Sequence, residues 1–325
     1  MDNTMFLEII KLNKSYQDKI ILKDINLRVE RGELVSIVGP SGAGKTTLLK
    51  IICGIEAPDS GHVIRERSVN GQSQPILVFQ DYILFPNMTV FENIAFGLKA
   101  RKIQSNEVKK RVDDIMDFVK IGKLAGQYPS QISAGEKQRT AIARALVLNP
   151  PMILLDEPFA NLDKNLKFET AEFIRTTQKE FGITTVSVTH DLKEAFMISD
   201  RIGVMINGEI VQYDTPGEIY RSPASLDVAA LLGDINILPA NRVKELCSSC
   251  DDSNGDKVCV RPESVKLEKS ENGEGRVVSI TFAGHYSTVS VKYKDIELRS
   301  FNTNGGFVEN ENVKITIDDI IQFKE

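Results

Sequence analysis

The chain has 325 residues, 42% of them hydrophobic and 26% charged, and a formal net charge of −5. This is the composition of a globular protein long enough for one large core and a smaller second domain. The negative balance gives no global attraction to nucleic acid. The longest apolar runs fall far short of a membrane span, and the first residues lack the basic and hydrophobic pattern of a signal peptide, so the expected location is the cytoplasm.

From residue 6 to about 63, short β-rich runs alternate with turns; strands are expected at 20–22, 27–29 and 34–38, as an antiparallel β portion. The last run leads into Gly39-Pro40-Ser41-Gly42-Ala43-Gly44-Lys45-Thr46, then Thr47 and an amphipathic stretch to residue 52. Strand, G-x-x-x-x-G-K-T and helix together make a phosphate-binding loop. The glycines let backbone N–H groups converge on phosphates, Lys45 sets a charge near the β- and γ-phosphates, and Thr46 offers its hydroxyl to Mg²⁺.

Residues 90–98, 107–119 and 135–148 carry apolar residues at helical spacing. A continuous apolar run at 152–155 then reads as a buried parallel strand ending in Asp156 and Glu157. Asp156 is placed to hold Mg²⁺, and Glu157 to orient or deprotonate a water in line with the γ-phosphate. The plainer reading of such paired acids is a helix cap. A helix at 168–181 and a strand at 184–188 follow. Strands 202–206 and 209–213 meet at Asn207-Gly208, a strong hairpin signal. Helices are expected from Pro216 and at 224–232, the second closed by Gly233. Beyond them, short alternating runs at 258–260, 265–267, 276–282, 288–293 and 313–317 read as a small β-barrel. Cys247, Cys250 and Cys259 lack an evident fourth metal ligand, and reduced thiols are expected.

Between the two nucleotide motifs stands Ile132-Ser133-Ala134-Gly135-Glu136, followed by Lys137-Gln138-Arg139. Here the chain resembles the ATP-binding subunits of ABC transporters, whose signature L-S-G-G-Q precedes a basic, Gln-containing helix. Ala134 and Glu136 depart from that pattern. The resemblance implies an α/β fold: a P-loop NTPase with a RecA-like core, an antiparallel β subdomain and a helical subdomain at about 86–150. This ATP-binding domain would fill residues 1–235, followed by an OB-like β domain at 236–325. It implies that Ser133 and Gly135 bind the γ-phosphate of the nucleotide held by the other subunit of a homodimer.

The same resemblance implies roles for four more residues. Tyr16 would stack on adenine, Gln80 would touch Mg²⁺ and the attacking water, Asp163 would lie in the loop crossing the dimer interface, and His190 would contact the γ-phosphate. Taken singly, Gln80 is a solvated strand end, Tyr16 a half-buried aromatic and His190 a satisfied core histidine; order and spacing favour the functional set. Lys45, Gln80, Glu157 and His190 form the implied catalytic group, with ATP and Mg²⁺ as cofactors. Val260-Arg261-Pro262-Glu263-Ser264-Val265 resembles the R-P-E-x-[VL] motif in the regulatory barrel of importer ATPases. The implied partners are membrane permease subunits and, through them, an extracytoplasmic substrate-binding protein, with no nucleic acid. The loop at 80–86, with Tyr82, Leu84 and Phe85, is the expected permease contact. Import of ferric iron or spermidine/putrescine is the leading expectation. The alternatives are an exporter ATPase and a soluble ABC-type switch on nucleic acid.

Overall fold

The computed structural model describes residues 5–66, 74–160, 162–247, 257–303, 305–321 and 323, and the chain divides into two compact units, Met1–Pro216 and Gly217–Glu325. Residues 217–235, expected to finish the ATP-binding domain, group with the second unit.

The first unit begins with β1 (Met5–Tyr16) and β2 (Lys19–Glu30), then β3 (Leu34–Val38) and helix α1 (Lys45–Cys53). Strand β4 (Ser60–Arg65) returns beside β1, giving an antiparallel sheet of order β2-β1-β4. The two short strands expected at 20–22 and 27–29 are one strand. Asp24 adopts φ 51° at a register shift, where the Asn13 and Asn26 side chains accept the backbone N–H groups of Asp24 and Lys11, each at 3.0 Å. The polar residues bend the strand without ending it.

Next come β5 (Ile76–Val78), the helices α2 (Val90–Ala100), α3 (Ser105–Phe118) and α4 (Ala134–Leu146), and then β6 (Met152–Asp156). Helix α5 (Lys164–Phe181), β7 (Thr184–Thr189), α6 (Leu192–Ile198), β8 (Arg201–Ile206) and β9 (Glu209–Asp214) complete the unit. The main sheet has the order β5-β6-β7-β3-β8-β9 and is parallel except for β9. Every residue of β3, β6 and β7 is buried, as expected of central strands in a parallel sheet. Asn207 and Gly208 turn the β8–β9 hairpin at φ 50° and 81°. Because the strands run parallel, the segments after β3, β5, β6 and β7 leave from the same edge: the loop 39–44, Gln80, Glu157 and His190.

Tyr82 and Leu84 do not form an exposed apolar cluster. Both pack against the core formed largely by α2, α3 and α4, and Phe85 lies 4.6 Å from Phe96 between ring centres. The exposed apolar residue of the loop is Ile83.

The second unit carries α7 (Pro216–Arg221), which starts at the boundary, then α8 (Leu226–Leu231), β10 (Asn236–Pro239), α9 (Ala240–Leu246) and β11 (Lys257–Val260). Strands β12 (Val265–Lys269), β13 (Gly275–Phe282), β14 (Ser287–Tyr293), β15 (Ile296–Asn302) and β16 (Asn312–Ile317) form a sheet of order β12-β16-β13-β14-β15. The Ser300 hydroxyl donates to the Val265 carbonyl at 2.6 Å, joining the two end strands and curling the sheet toward a barrel. Asn236 bridges β10 to the backbone of Arg299. Sequence periodicity missed β10, α9 and β15. Of the three thiols expected to be reduced, Cys259 is free, Cys247 is instead disulfide-bonded, and Cys250 lies outside the described residues; Cys53, in α1, is also free.

Candidate nucleotide site

The loop between β3 and α1 owes its path to close approach. A Cβ on Gly39 would stand 2.1 Å from the Met205 carbonyl oxygen. Gly44, at φ 103°, has the Ile21 carbonyl at 2.7 Å from the same imagined atom. Side chains are thus excluded where the loop presses on β8 and β2, and Gly44 caps α1 in a left-handed conformation. Gly42 also has positive φ, at 81°, but open space around it. Ala43 is buried, and its N–H donates to the Pro40 carbonyl at 3.2 Å.

Lys45 is buried, and its ammonium donates to the Gly39 and Pro40 carbonyls at 2.8 and 3.0 Å. Burial pulls its pKa down, while Glu157 and Asp156 act the other way. The Thr46 hydroxyl donates to Asp156 Oδ1 at 3.0 Å. Asp156 is itself buried at the end of β6; burial raises its pKa, partly offset by the Thr46 bond. A hydroxyl and a buried carboxylate, both oxygen ligands, suit a hard divalent cation such as Mg²⁺.

Glu157 adopts φ 45°, unusual for a non-glycine residue, and its N–H donates to the Val188 carbonyl at 2.9 Å. Its Oε2 lies 3.1 Å from His190 Nδ1. The strained turn after β6 thereby brings Glu157 to the histidine that follows β7. Tyr16, Lys19, Ile21, Ser41, Gly42, Gly44, Lys45, Thr46, Thr47 and Glu157 line one open cleft of ≈ 330 Å³. Tyr16 is half exposed, its hydroxyl is hydrogen-bonded to Glu56, and the Lys14 ammonium lies 5.5 Å from its ring centre.

Gln80, Ser133, Gly135 and Asp163 do not line this cleft. Gln80 is exposed beyond β5. Ser133 and Asp163 are the N-caps of α4 and α5. The two helix starts adjoin, because a Cβ on Gly135 would meet Leu166 Cδ1 at 2.9 Å. Glu136 turns back on its own helix: its Oε2 accepts both the Ser133 N–H and the Ser133 hydroxyl at 2.8 Å, a capping box. The signature departure thus places a carboxylate at the α4 N-terminus.

Two supports escaped sequence reading. Buried Gln138 donates to the Pro158 carbonyl, fixing α4 to the turn that carries Glu157. Buried Glu194 accepts from Thr189 and pairs with Lys167 at 2.7 Å, holding the turn around His190. A polar residue on the buried face of α4 was the available signal for Gln138. Glu194 gave none, because Lys167 lies 27 residues away and the nearby Thr189 hydroxyl carries no periodic signal.

The family described as ABC transporter matches residues 22–160. The Fe(3+) ions import ATP-binding protein FbpC of Vibrio cholerae is 37% identical over 319 residues, covering 92% of this chain and 91% of that protein. The spermidine/putrescine import ATP-binding protein PotA of Haemophilus influenzae is 37% identical over 313 residues, covering 87% of this chain and 84% of its own. Among solved structures, cbiO1 of Clostridium perfringens, part of the ABC transporter complex cbiONQ, is similar with TM-score 0.62 and 33% identity, covering 66% of this chain and 90% of that one. The ATP-binding cassette MJ0796, a dimer in a post-hydrolysis state bound to ADP and Pi, gives TM-score 0.57 and 31% identity, covering 65% and 98%. With relatives of this identity along nearly its whole length and a phosphate loop built as described, the chain belongs to the ABC transporter family, among its import ATP-binding subunits, and is an ATPase.

Proposed function

We propose that two copies of this chain pair head to tail and sandwich two ATP molecules, each between the phosphate loop of one copy and the α4 N-terminus of the other. The observation carrying this reading is the convergence of Lys45, the Thr46–Asp156 pair and the Glu157–His190 pair on one cleft edge. The dimeric ATP-binding cassette similar to this chain supports the pairing. Residues 39–47 would cradle the phosphates, Tyr16 would stack on adenine, and Thr46, Asp156 and Gln80 would hold Mg²⁺, which neutralises phosphate charge when bound. Glu157 would take the proton of the attacking water while His190 steadies its carboxylate and contacts the γ-phosphate. Ser133 and Gly135 of the second copy would complete the site, with Asp163 beside the interface. Catalysis on this reading is positioning and electrostatic stabilisation of the transferring phosphoryl group.

The first domain on this reading is the ATP-binding domain, ending near 235, and the remainder is the OB-like domain. The subunit would sit on the inner face of the cell membrane, bound to permease subunits served by an extracytoplasmic binding protein. No helix among the described residues is long and apolar enough to cross a membrane. Relatives named for ferric iron and for spermidine/putrescine share the same 37% identity, so cargo selection is assigned to the permease and binding protein.

Glu157→Gln is the test. The amide is isosteric and takes no proton, so ATP binding should persist, hydrolysis should fall by roughly 100-fold or more, and an ATP-bound dimer should accumulate on gel filtration. Hydrolysis at the parent rate would remove Glu157 from the role of base.

A further inference from the structure

The loop after β5 is held in an improbable shape. Tyr82 and Ile83 are consecutive non-glycine residues with positive φ, 59° and 37°, and the second is β-branched. The Tyr82 hydroxyl is buried without a hydrogen-bond partner. Two side chains oppose the strain. Asn93 of α2 accepts the Phe85 N–H at 2.8 Å and donates to the Phe85, Met88 and Thr89 carbonyls. Arg144, in the last turn of α4, donates from Nη1 to the Ile83 carbonyl at 2.9 Å and from Nη2 to the Tyr82 carbonyl at 3.1 Å, while its guanidinium lies 5.5 Å from the Phe85 ring centre. Among the described residues no carboxylate forms an ion pair with Arg144. A half-buried cation whose polar contacts are two successive carbonyls acts as a clamp on the backbone, and only a planar fork reaches both at once.

We propose that Arg144 is a positioning residue for ATP hydrolysis, acting through Gln80: its clamp on carbonyls 82 and 83 sets where the loop presents Gln80, two residues upstream. The inference rests on the proposed catalytic role of Gln80. It adds a mechanical link, because α4 begins at Ser133, bonds the Pro158 carbonyl through Gln138 and ends at Arg144. One rigid helix then joins the contact to the partner's nucleotide with both the turn of Glu157 and the loop of Gln80 in its own site.

A double-mutant cycle on the full chain tests it. Arg144→Met should lower kcat by about tenfold with KM for ATP within about twofold, and in a Gln80→Ala background should cost less than about twofold more. Arg144→Lys, which keeps charge but loses the fork, should lie between. Hydrogen exchange should quicken in Arg144→Met at residues 82–85 and stay at the parent rate along α4. If the two kcat losses multiply, or if α4 exchanges faster by the same factor as the loop, Arg144 is structural and the inference fails alone. Parent-like kcat in Gln80→Ala itself would overturn the role of Gln80 and this inference with it.

Discussion

Lys45 in the first unit and Arg261 in the second are both buried cations with no salt bridge among the described residues, and they are used in opposite ways. Lys45 rests on two loop carbonyls at the wall of an open cleft, beside an acid whose pKa burial raises and another on a strained turn. Arg261 donates to the carbonyls of Ala229, Asp234 and Tyr220, lies 4.3 Å from the Tyr220 ring centre, and leaves only its Nε unpartnered. Tyr220 in turn bonds Glu263; burial and that bond push its hydroxyl up to about 12. The first arrangement leaves charge available to an incoming anion; the second consumes it in holding α7 and α8 to the β unit. The two motifs therefore differ in kind: G-x-x-x-x-G-K-T leaves its cation at an open cleft, while R-P-E builds a clasp.

The largest break expected in this contrast is at Lys45. Lys45→Ala should weaken ATP binding roughly 10- to 100-fold in a calorimetric titration, and abolish most turnover, with folding intact. Unchanged affinity would place the nucleotide elsewhere. The converse holds for Arg261→Met, which strands three carbonyl acceptors. It should destabilise the second unit by about 2–3 kcal/mol in thermal unfolding while leaving ATP affinity near the parent value. A loss of ATP affinity matching that of Lys45→Ala would erase the distinction.

Asp156 gives a smaller effect of opposite sign. Its pKa is raised in the folded chain, mainly by burial, so its contribution to stability is fully present below the unfolded pKa and is lost as pH rises through the folded one. At neutral pH the charged form is a burden when no cation is bound. Asp156→Asn should therefore raise Tm by about 2–4 °C at pH 7 without nucleotide, an advantage that disappears in acid, while Mg²⁺-dependent hydrolysis is lost. An unchanged or lower Tm at pH 7 would mean that the carboxylate is not under strain.

The smallest effect is expected at Glu136. Glu136→Gln keeps a side chain able to close the capping box on Ser133, so stability should move by less than about 0.5 kcal/mol. Loss of the charge should nevertheless strengthen ATP-dependent dimerisation about two- to threefold at low salt in the Glu157→Gln background, and the gain should fade as salt rises. No gain at low salt would make this departure from the signature electrostatically silent.

Local sequence carried a large part of this protein. Buried parallel strands announce themselves as unbroken apolar runs, the hairpin as Asn207-Gly208, and the phosphate loop as glycines spaced before Lys45 and Thr46, because each depends on neighbours within a few residues. The Glu157–His190 contact, the bond from Gln138 to the Pro158 carbonyl and the Arg144 clamp join residues 33, 20 and 61 or 62 positions apart. No local periodicity encodes such pairs; they exist only once the parallel sheet has brought several strand ends to one edge and α4 has packed against β5 and the turn after β6. The same holds for β15, which periodicity missed and whose place became fixed only when Ser300 met Val265 across the curled sheet. Residue types set which chemistry was available, and long-range packing decided which of those groups were left free to perform it.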